Sequence, residues 1–123
     1  MGMPEIKHGT FTSASSAVDV DIDLGFVPDH FELIVGADAN PNIYIYDKNL
    51  GDASTIKMTG STGAYTYETS NPIVSKDAGS ISTATVMGAS GVVKDVGFKG
   101  VTIPAELQVN SKVNYWTAVR QGA

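Results

Sequence analysis

The most regular hydrophobic pattern in the chain runs from Val18 to Leu24, where apolar and acidic residues alternate without interruption. Successive side chains of a β-strand point to opposite faces, so the apolar residues share one face and the aspartates share the other. Gly25 and Pro28 then break the pattern, since Gly accepts a positive φ and Pro lacks a hydrogen-bond donor. A second apolar run follows from Phe31 to Val35. This stretch predicts two strands joined by a corner.

Short alternating segments of the same kind recur along the chain and are separated by turns rich in Gly, Ser, Asn, Asp and Pro. Helical periodicity is absent, so we expect an all-β fold, an antiparallel β-sandwich or jelly roll of about seven to nine short strands with no substantial helix. The turn at residues 13–16 predicts a hairpin between the first two strands. Residues 70–91 are expected to hold one or two short strands among long loops, and residues 92–96 another strand.

The length of 123 residues suits one domain with its own core. We divide it into an extended N-terminal arm, residues 1–8, and a single β-sandwich domain, residues 9–123. Two interpretations of the arm remain open at this point. It is either a frayed terminus or a segment that reaches a neighbouring subunit, with Ile6 as its apolar anchor.

Two of the predicted strands carry tyrosines at the same spacing. Tyr44 and Tyr46 face away from Ile43 and Ile45, and Tyr65 and Tyr67 share one face of a later strand. If the two strands are neighbours, the four rings form a cluster whose hydroxyls are available to solvent or to a partner. The alternative is ordinary sheet packing, because aromatic residues are common in strands.

The last predicted strand, Val113 to Arg120, raises the question of which face is buried. One face carries Val113 and every second residue after it, and this set is the more apolar, so we expect it to face the core. Trp116 and Arg120 then point outward. Such a Trp is either covered by a loop of its own chain or presented to another molecule, since Trp and Arg are enriched in interfaces.

Composition excludes several classes of function. The absence of cysteine removes disulfides and thiolate metal sites. A net charge of -5 disfavours nucleic acid, whose phosphates are bound by excess Lys and Arg. The apolar runs are far shorter than the roughly 20 residues of a membrane span, and the N-terminal residues show no secretory signal.

Candidate catalytic and metal sites fail on spacing. The aspartates at 19, 21 and 23 lie about 7 Å apart along a strand, too far for two of them to share one small cation directly; we expect them to form a charged outer face that discourages edge pairing. The loop from Asp38 resembles a calcium loop, but Ile43 stands where Gly is required and Asn49 where Glu is required. Only His8 and His30 are present, and no nucleophile motif accompanies them. We expect no metal, no cofactor and no enzymatic activity.

Both ends of the chain carry short strand and corner motifs: Gly9–Thr12, Val20–Asp29, Phe31–Ile34, Gly97-Phe98, Val109-Asn110 and Tyr115–Ala118. In this order they resemble the small β-sandwich domains of tailed-bacteriophage virions, which share an opening Gly-x-Phe-Thr strand, a Leu-Gly-Phe-x-Pro-Asp corner and a closing Tyr-Trp-x-Ala strand. The resemblance covers roughly half of the chain and leaves residues 40–96 unassigned.

The resemblance implies a non-enzymatic virion structural protein. We expect a capsid decoration protein that binds the major capsid protein or another virion protein in many copies, as a homo-oligomer with a trimer favoured. It would be made in the host cytoplasm and reside on the capsid surface. The absence of heptads and repeats favours this over the alternative, a tail-fibre or tail-tip domain that binds a receptor or glycan; a non-viral adhesion module is a third possibility. The candidate partner contacts are Ile6, His8, Trp116, Arg120, Tyr44, Tyr46, Tyr65 and Tyr67.

Overall fold

A computed structural model of the chain describes residues 4–37, 39–77, 85–86 and 99–121. Two β-sheets pack face to face, which confirms the predicted β-sandwich. The helical part of the described residues is a single 3₁₀ turn, Ala105–Leu107. The strands are β1 Glu5–Thr12, β2 Val20–Asp23, β3 His30–Ile34, β4 Ile43–Asp47, β5 Thr55–Met58, β6 Tyr65–Glu68, β7 Val74–Asp77, β8 Thr85–Val86, β9 Lys99–Ile103 and β10 Val113–Arg120.

The larger sheet has six antiparallel strands in the order β1-β10-β3-β4-β5-β6. The smaller sheet has the order β7-β9-β2-β8, in which the two-residue strand β8 runs parallel to β2 and the other pairs are antiparallel. The predicted hairpin between the first two strands is wrong, because β1 pairs with β10 and β2 pairs with β9. The larger sheet therefore joins the two ends of the chain.

The predicted corner is confirmed, and it carries the chain from the smaller sheet to the larger one. Gly25 adopts φ 80°, a conformation that glycine accepts without strain. The side chains of Leu24, Phe26 and Pro28 are buried between the sheets. The backbone N–H groups of Leu24 and Gly25 both donate to the carbonyl oxygen of Lys99, at 2.9 and 3.1 Å, which ties the corner to β9.

The core is built by inward residues of both sheets, and it includes two of the tyrosines. Tyr44 lies opposite Leu33 and Tyr46 lies opposite Phe31 across the β3–β4 pair, and all four side chains are buried. Burial raises the pKa of both tyrosine hydroxyls. Of the two alternatives for the tyrosines, the four-ring cluster is therefore wrong and ordinary sheet packing describes Tyr44 and Tyr46. The strand β5 separates β4 from β6, and the two tyrosine pairs lie on opposite faces of the sheet.

The predicted orientation of β10 is also wrong. Asn114 and Ala118 are fully buried, and Trp116, on the same face, stacks on Phe31 with ring centroids 5.8 Å apart. The face with the larger apolar count is exposed instead, including Tyr115. Trp116 thus points inward and packs against the core of its own chain, so neither alternative considered for an outward Trp applies.

A polar network explains why β10 can bury a polar residue. The Nδ2 of Asn114 donates to the Oγ of Ser13 at 2.8 Å, and its Oδ1 accepts from the N–H of Gly36 at 3.2 Å. The Oγ of Ser13 in turn donates to Gln108 at 2.8 Å. Because both the Nδ2 and the Oδ1 of Asn114 form hydrogen bonds, burial of its amide costs little free energy. The number of apolar residues on each face of β10 therefore does not predict which face is buried.

Arg120 lies on the inward side of β10 and reaches back over the corner, with its side chain 43% exposed. Its guanidinium lies 4.9 Å from the ring centroid of Phe26 and forms an ion pair with Glu5. Lys7 approaches the same ring at 5.6 Å and donates to the carbonyl oxygen of Leu24 at 2.8 Å. Residues 5–8 of the expected arm are part of β1 and pair with β10. These contacts of Arg120 lie within the chain.

The aspartate row does not form the expected solvent-facing surface. Asp21 is fully buried and accepts a hydrogen bond from the hydroxyl of Thr102, whereas Asp19 and Asp23 are exposed. The strand β2 lies between β9 and β8, so the row does not protect a sheet edge. Of the strands expected in residues 70–91, β7 and β8 lie there; residues 78–84 and 87–91 of that segment and the strand expected at 92–96 lie outside the described residues.

We predict that Gly9→Val destabilises the fold, because Gly9 pairs with Trp116 and an added Cβ would lie 2.8 Å from the indole ring. The expected loss is about 1–3 kcal/mol in the free energy of unfolding, the usual cost of overpacking. Chemical denaturation measures it, and tryptophan fluorescence of the folded state reports displacement of the ring. Thr10→Val on the opposite, exposed face of β1 is the control. Equal stability of both variants would contradict the prediction.

Candidate protein-binding face

The side of the larger sheet that faces away from the core is unusually apolar. We call it the outer face. Directly opposed residues of antiparallel strands share a face, so the registers define its members. They are Ile6, His8, Thr10 and Thr12 of β1, Val113, Tyr115, Thr117 and Val119 of β10, His30, Glu32 and Ile34 of β3, Ile43, Ile45 and Asp47 of β4, Ile56 and Met58 of β5, and Tyr65 and Tyr67 of β6.

One uncharged row of the outer face crosses the whole sheet. Its members are successive partners in the strand registers: Thr10, Tyr115, Ile34, Ile43, Met58 and Tyr65. Six strands spaced by about 4.8 Å make this row about 24 Å wide. We call it the central row. It places an apolar stripe at right angles to the strands.

Most of the exposed large apolar residues of the described chain lie on this face. Of eight such residues, only Val18 and Val109 lie elsewhere. Ile6 is 67% exposed, Tyr65 68%, Tyr67 66% and Tyr115 52%. The central row and the row beside it together span a projected area of about 350 Å² by strand geometry. The second row includes His8 and Glu32, so the apolar part of the face is smaller than this area.

Charge is sparse on the outer face, although the chain carries a net charge of -5. Glu32 lies beside His30, with 3.8 Å between the carboxylate and the imidazole Nε2. Asp47 lies at the end of β4, where its carboxylate accepts the N–H of Asn49 at 2.9 Å. A protein that covers the centre of the face therefore removes few charged groups from water.

The structure divides the residues that the sequence singled out. It places Ile6, His8, Tyr65 and Tyr67 on the outer face, while Tyr44, Tyr46, Trp116 and Arg120 lie on the inward side of the sheet. Sequence reasoning missed the middle of the face, namely Tyr115, Ile34, Ile43 and Met58. A signal for it existed in the Ile-Tyr-Ile-Tyr segment of β4, which is apolar in both alternations and therefore predicts a strand with two apolar faces.

Two depressions open on the larger sheet. The first, of about 380 Å³, is lined by Ile56, Tyr65, Thr66 and Tyr67 at the β6 edge. Its lining is mostly aromatic and aliphatic, and it continues the apolar outer face. It offers an open platform for contact, since neither tyrosine ring is covered by the described residues.

The second depression, of about 260 Å³, is lined mostly by polar residues and lies where β3 begins and where β4 and β10 end. The Asp29 carboxylate accepts the backbone N–H of Gln121 at 2.7 Å and lies 3.2 Å from the Nζ of Lys48. The hydrogen bond from Gln121 lowers the pKa of Asp29, burial opposes this, and Lys48 adds to the lowering. These contacts join the corner to the C-terminal end of β10, which is a structural role.

Within the described ranges, no group of three or more His, Cys, Asp or Glu side chains is arranged to hold a metal ion. In the same part of the chain, no helix has the length and apolarity to cross a membrane. The chain matches no protein-family model, no curated protein and no solved structure. The outer face is therefore the candidate site that the geometry itself provides.

We predict that Asp29→Asn destabilises the protein at pH 7 by less than about 1 kcal/mol, as a partly exposed ion pair does. The pKa of Asp29 is lower in the folded protein than its ordinary value of 3.8, so its stabilisation is present above that value and is lost as the pH falls through the folded pKa. Urea unfolding at pH 7 and pH 2.5 measures the difference. The exposed Asp77→Asn is the control, and a deficit of Asp29→Asn that persists unchanged at pH 2.5 would refute the assignment.

Proposed function

We propose that this chain is a non-enzymatic virion structural protein that decorates the capsid of a tailed bacteriophage and docks through its outer face. The observation that carries the proposal is the uncharged central row, which crosses all six strands of the larger sheet and presents Tyr115, Ile34 and Tyr65 as exposed apolar side chains. The virion setting rests on the sequence resemblance of the two ends of the chain. The major capsid protein is the proposed partner, and the capsid surface is the proposed location.

The composition of the outer face supports binding to protein. Aromatic residues and Met are enriched in the centres of protein interfaces, and charged residues are depleted there. Tyr115, Tyr65 and Met58 lie in the central row, and its members carry no charge. Tyr combines a large contact area with a hydroxyl that can still form hydrogen bonds at the rim.

The size of the face supports attachment in many copies. A stable pairwise interface buries about 800 Å² on each partner, roughly twice the projected area of the central row and the row beside it. A single copy therefore gains modest affinity from this face. Attachment to several neighbours in a symmetric shell raises the effective affinity without new contacts, which suits a decoration protein.

The alternative function is receptor or glycan binding at a tail tip. The observation that favours it is the depression at the β6 edge, where Tyr65 and Tyr67 are two thirds exposed and are spaced on one face of a strand. Exposed aromatic rings of this kind stack on the apolar faces of sugars. Under this alternative the remainder of the central row has no assigned role.

We predict that Val113→Glu and Tyr115→Glu reduce attachment to phage particles lacking the protein by at least about tenfold, because each buries a carboxylate at the interface. Val109→Glu is the matched control, since Val109 and Val113 are both 42% exposed but Val109 lies off the outer face. Co-sedimentation with purified particles measures attachment. The unfolding free energies of all three variants are expected to stay within about 0.5 kcal/mol of the unmodified chain.

Retention of Val113→Glu and Tyr115→Glu at the level of Val109→Glu would refute docking through the outer face. Quantitative mass spectrometry of the same particles separates the two functions. Closed symmetry predicts hundreds of copies per particle for a decoration protein and a small multiple of three or six for a tail-tip protein. Specific binders on a glycan array, lost in Tyr67→Ala, would favour the alternative.

A further inference from the structure

The free edge of the larger sheet at β6 has the properties of a strand-pairing site. Among the described strands, β6 pairs with β5 alone and closes one side of the sheet. Tyr65, Thr66 and Tyr67 are all exposed, so both faces of the strand are accessible in the described structure. A sheet edge with accessible backbone groups is a template for another strand.

The register fixes which backbone groups point out of this edge. The N–H of Thr59 donates to the carbonyl oxygen of Ala64 at 3.0 Å, and these two residues continue the β5–β6 register. In an antiparallel pair the hydrogen-bonded positions alternate, so Ala64 and Thr66 direct their backbone groups toward β5. Tyr65 and Tyr67 therefore direct theirs away from the sheet. The edge presents two N–H groups and two C=O groups.

The opposite edge of the same sheet differs in its chemistry. The strand β1 carries Glu5, Lys7 and His8, and charged side chains are the usual protection of an edge against pairing. At the β6 edge, Tyr65 to Tyr67 contain no charge and no proline. Glu68 turns toward the following loop, where its carboxylate accepts the N–H groups of Ser70 and Asn71 at 3.2 Å each.

We propose that the β6 edge pairs with β6 of a second copy of this chain about a twofold axis, with Tyr65 opposite the partner's Tyr67. In this register each tyrosine exchanges both of its edge-directed groups with the tyrosine opposite, and four hydrogen bonds form. All four outward backbone groups between residues 65 and 67 are satisfied. The same segment supplies donors and acceptors to itself, which is the requirement of a self-complementary interface.

Side-chain positions agree with this occupant. The outer face gains two cross-strand tyrosine pairs, which are favourable neighbours on a sheet. Thr66 meets Thr66 of the partner subunit on the other face, and Glu68 meets Ala64, so no like charges are opposed although each chain carries a charge of -5. The twofold axis stands perpendicular to the sheet, so the outer faces of both copies lie on one side and form one continuous surface.

The proposed β6 pairing does not depend on the virion assignment, because it uses only contacts between two copies of this chain. It favours a dimer over the trimer that the resemblance implies. A trimer that forms through the edges of the larger sheet would need β6 of each copy to pair with the charged β1 edge of the next copy. Such a contact is head-to-tail.

The first test is Tyr67→Pro in the full chain, studied by sedimentation equilibrium. Proline removes the N–H that points out of the edge and leaves the bonds of β6 to β5 in place. We expect a concentration-dependent dimer for the unmodified chain and at least about tenfold weaker association for Tyr67→Pro, because two of the four bonds are lost. Tyr67→Ser keeps the N–H and is the control. Equal association of both variants, or a trimer of the unmodified chain, would overturn the proposal.

The second test uses charge, because the proposed register puts Thr66 opposite itself. Thr66→Lys and Thr66→Glu alone should each weaken the dimer about fivefold by like-charge repulsion, and an equal mixture should restore it. Thr66 lies opposite Lys57 within the chain, so the unfolding free energy of each variant is measured alongside. Failure of the mixture to exceed both single variants would exclude this register.

Amide hydrogen exchange of the unmodified chain supplies a readout free of substitutions. The N–H of Thr66 should be protected at every protein concentration, since it faces β5. The N–H groups of Tyr65 and Tyr67 should gain protection only as the dimer forms. Rapid exchange of both tyrosine amides in a sample that is fully dimeric would overturn the proposal.

Discussion

The pairing of β1 with β10 is the constraint on which the rest of the structure depends. It joins the two ends of the chain over eight residue pairs and places Gly9 directly opposite Trp116. Because Gly9 has no Cβ, the Trp116 indole lies close over β1. The indole also stacks on Phe31 of β3, the strand on the other side of β10. This contact fixes which side of β10 is inward. Every outward residue of the larger sheet is then determined by register.

The inward orientation of Trp116 also brings polar groups of β10 into the interior. With Trp116 inward, Asn114 is inward too, and its amide is held by Ser13 and by the backbone of Gly36. Arg120, at the other end of the strand, covers the ring of Phe26 and pairs with Glu5. The inward side of β10 is therefore a mixture of apolar packing and satisfied hydrogen bonds, and a simple apolar count selects the other side.

The larger sheet consequently has two apolar faces, and one of them stays outside. One face packs against the smaller sheet through residues such as Leu33 and Tyr44, while the other presents the central row. The outer face provides area and little charge, which suits a broad protein partner. The β6 edge adds directional hydrogen bonds at the end of the same row. Both features make the sheet, through its free surface and its free edge, the part of the molecule suited to assembly.

The sequence alone determined the all-β fold class and the corner around Gly25, because period-two alternation and turn residues act locally. It also identified Tyr65 and Tyr67 as aromatic positions of one strand face. Only the tertiary structure decided that Trp116 and Tyr44 face inward and that Tyr115 faces outward. Alternation separates the residues of a strand into two sets, but which set is buried depends on partners distant in sequence, here Gly9 for Trp116 and Leu33 for Tyr44.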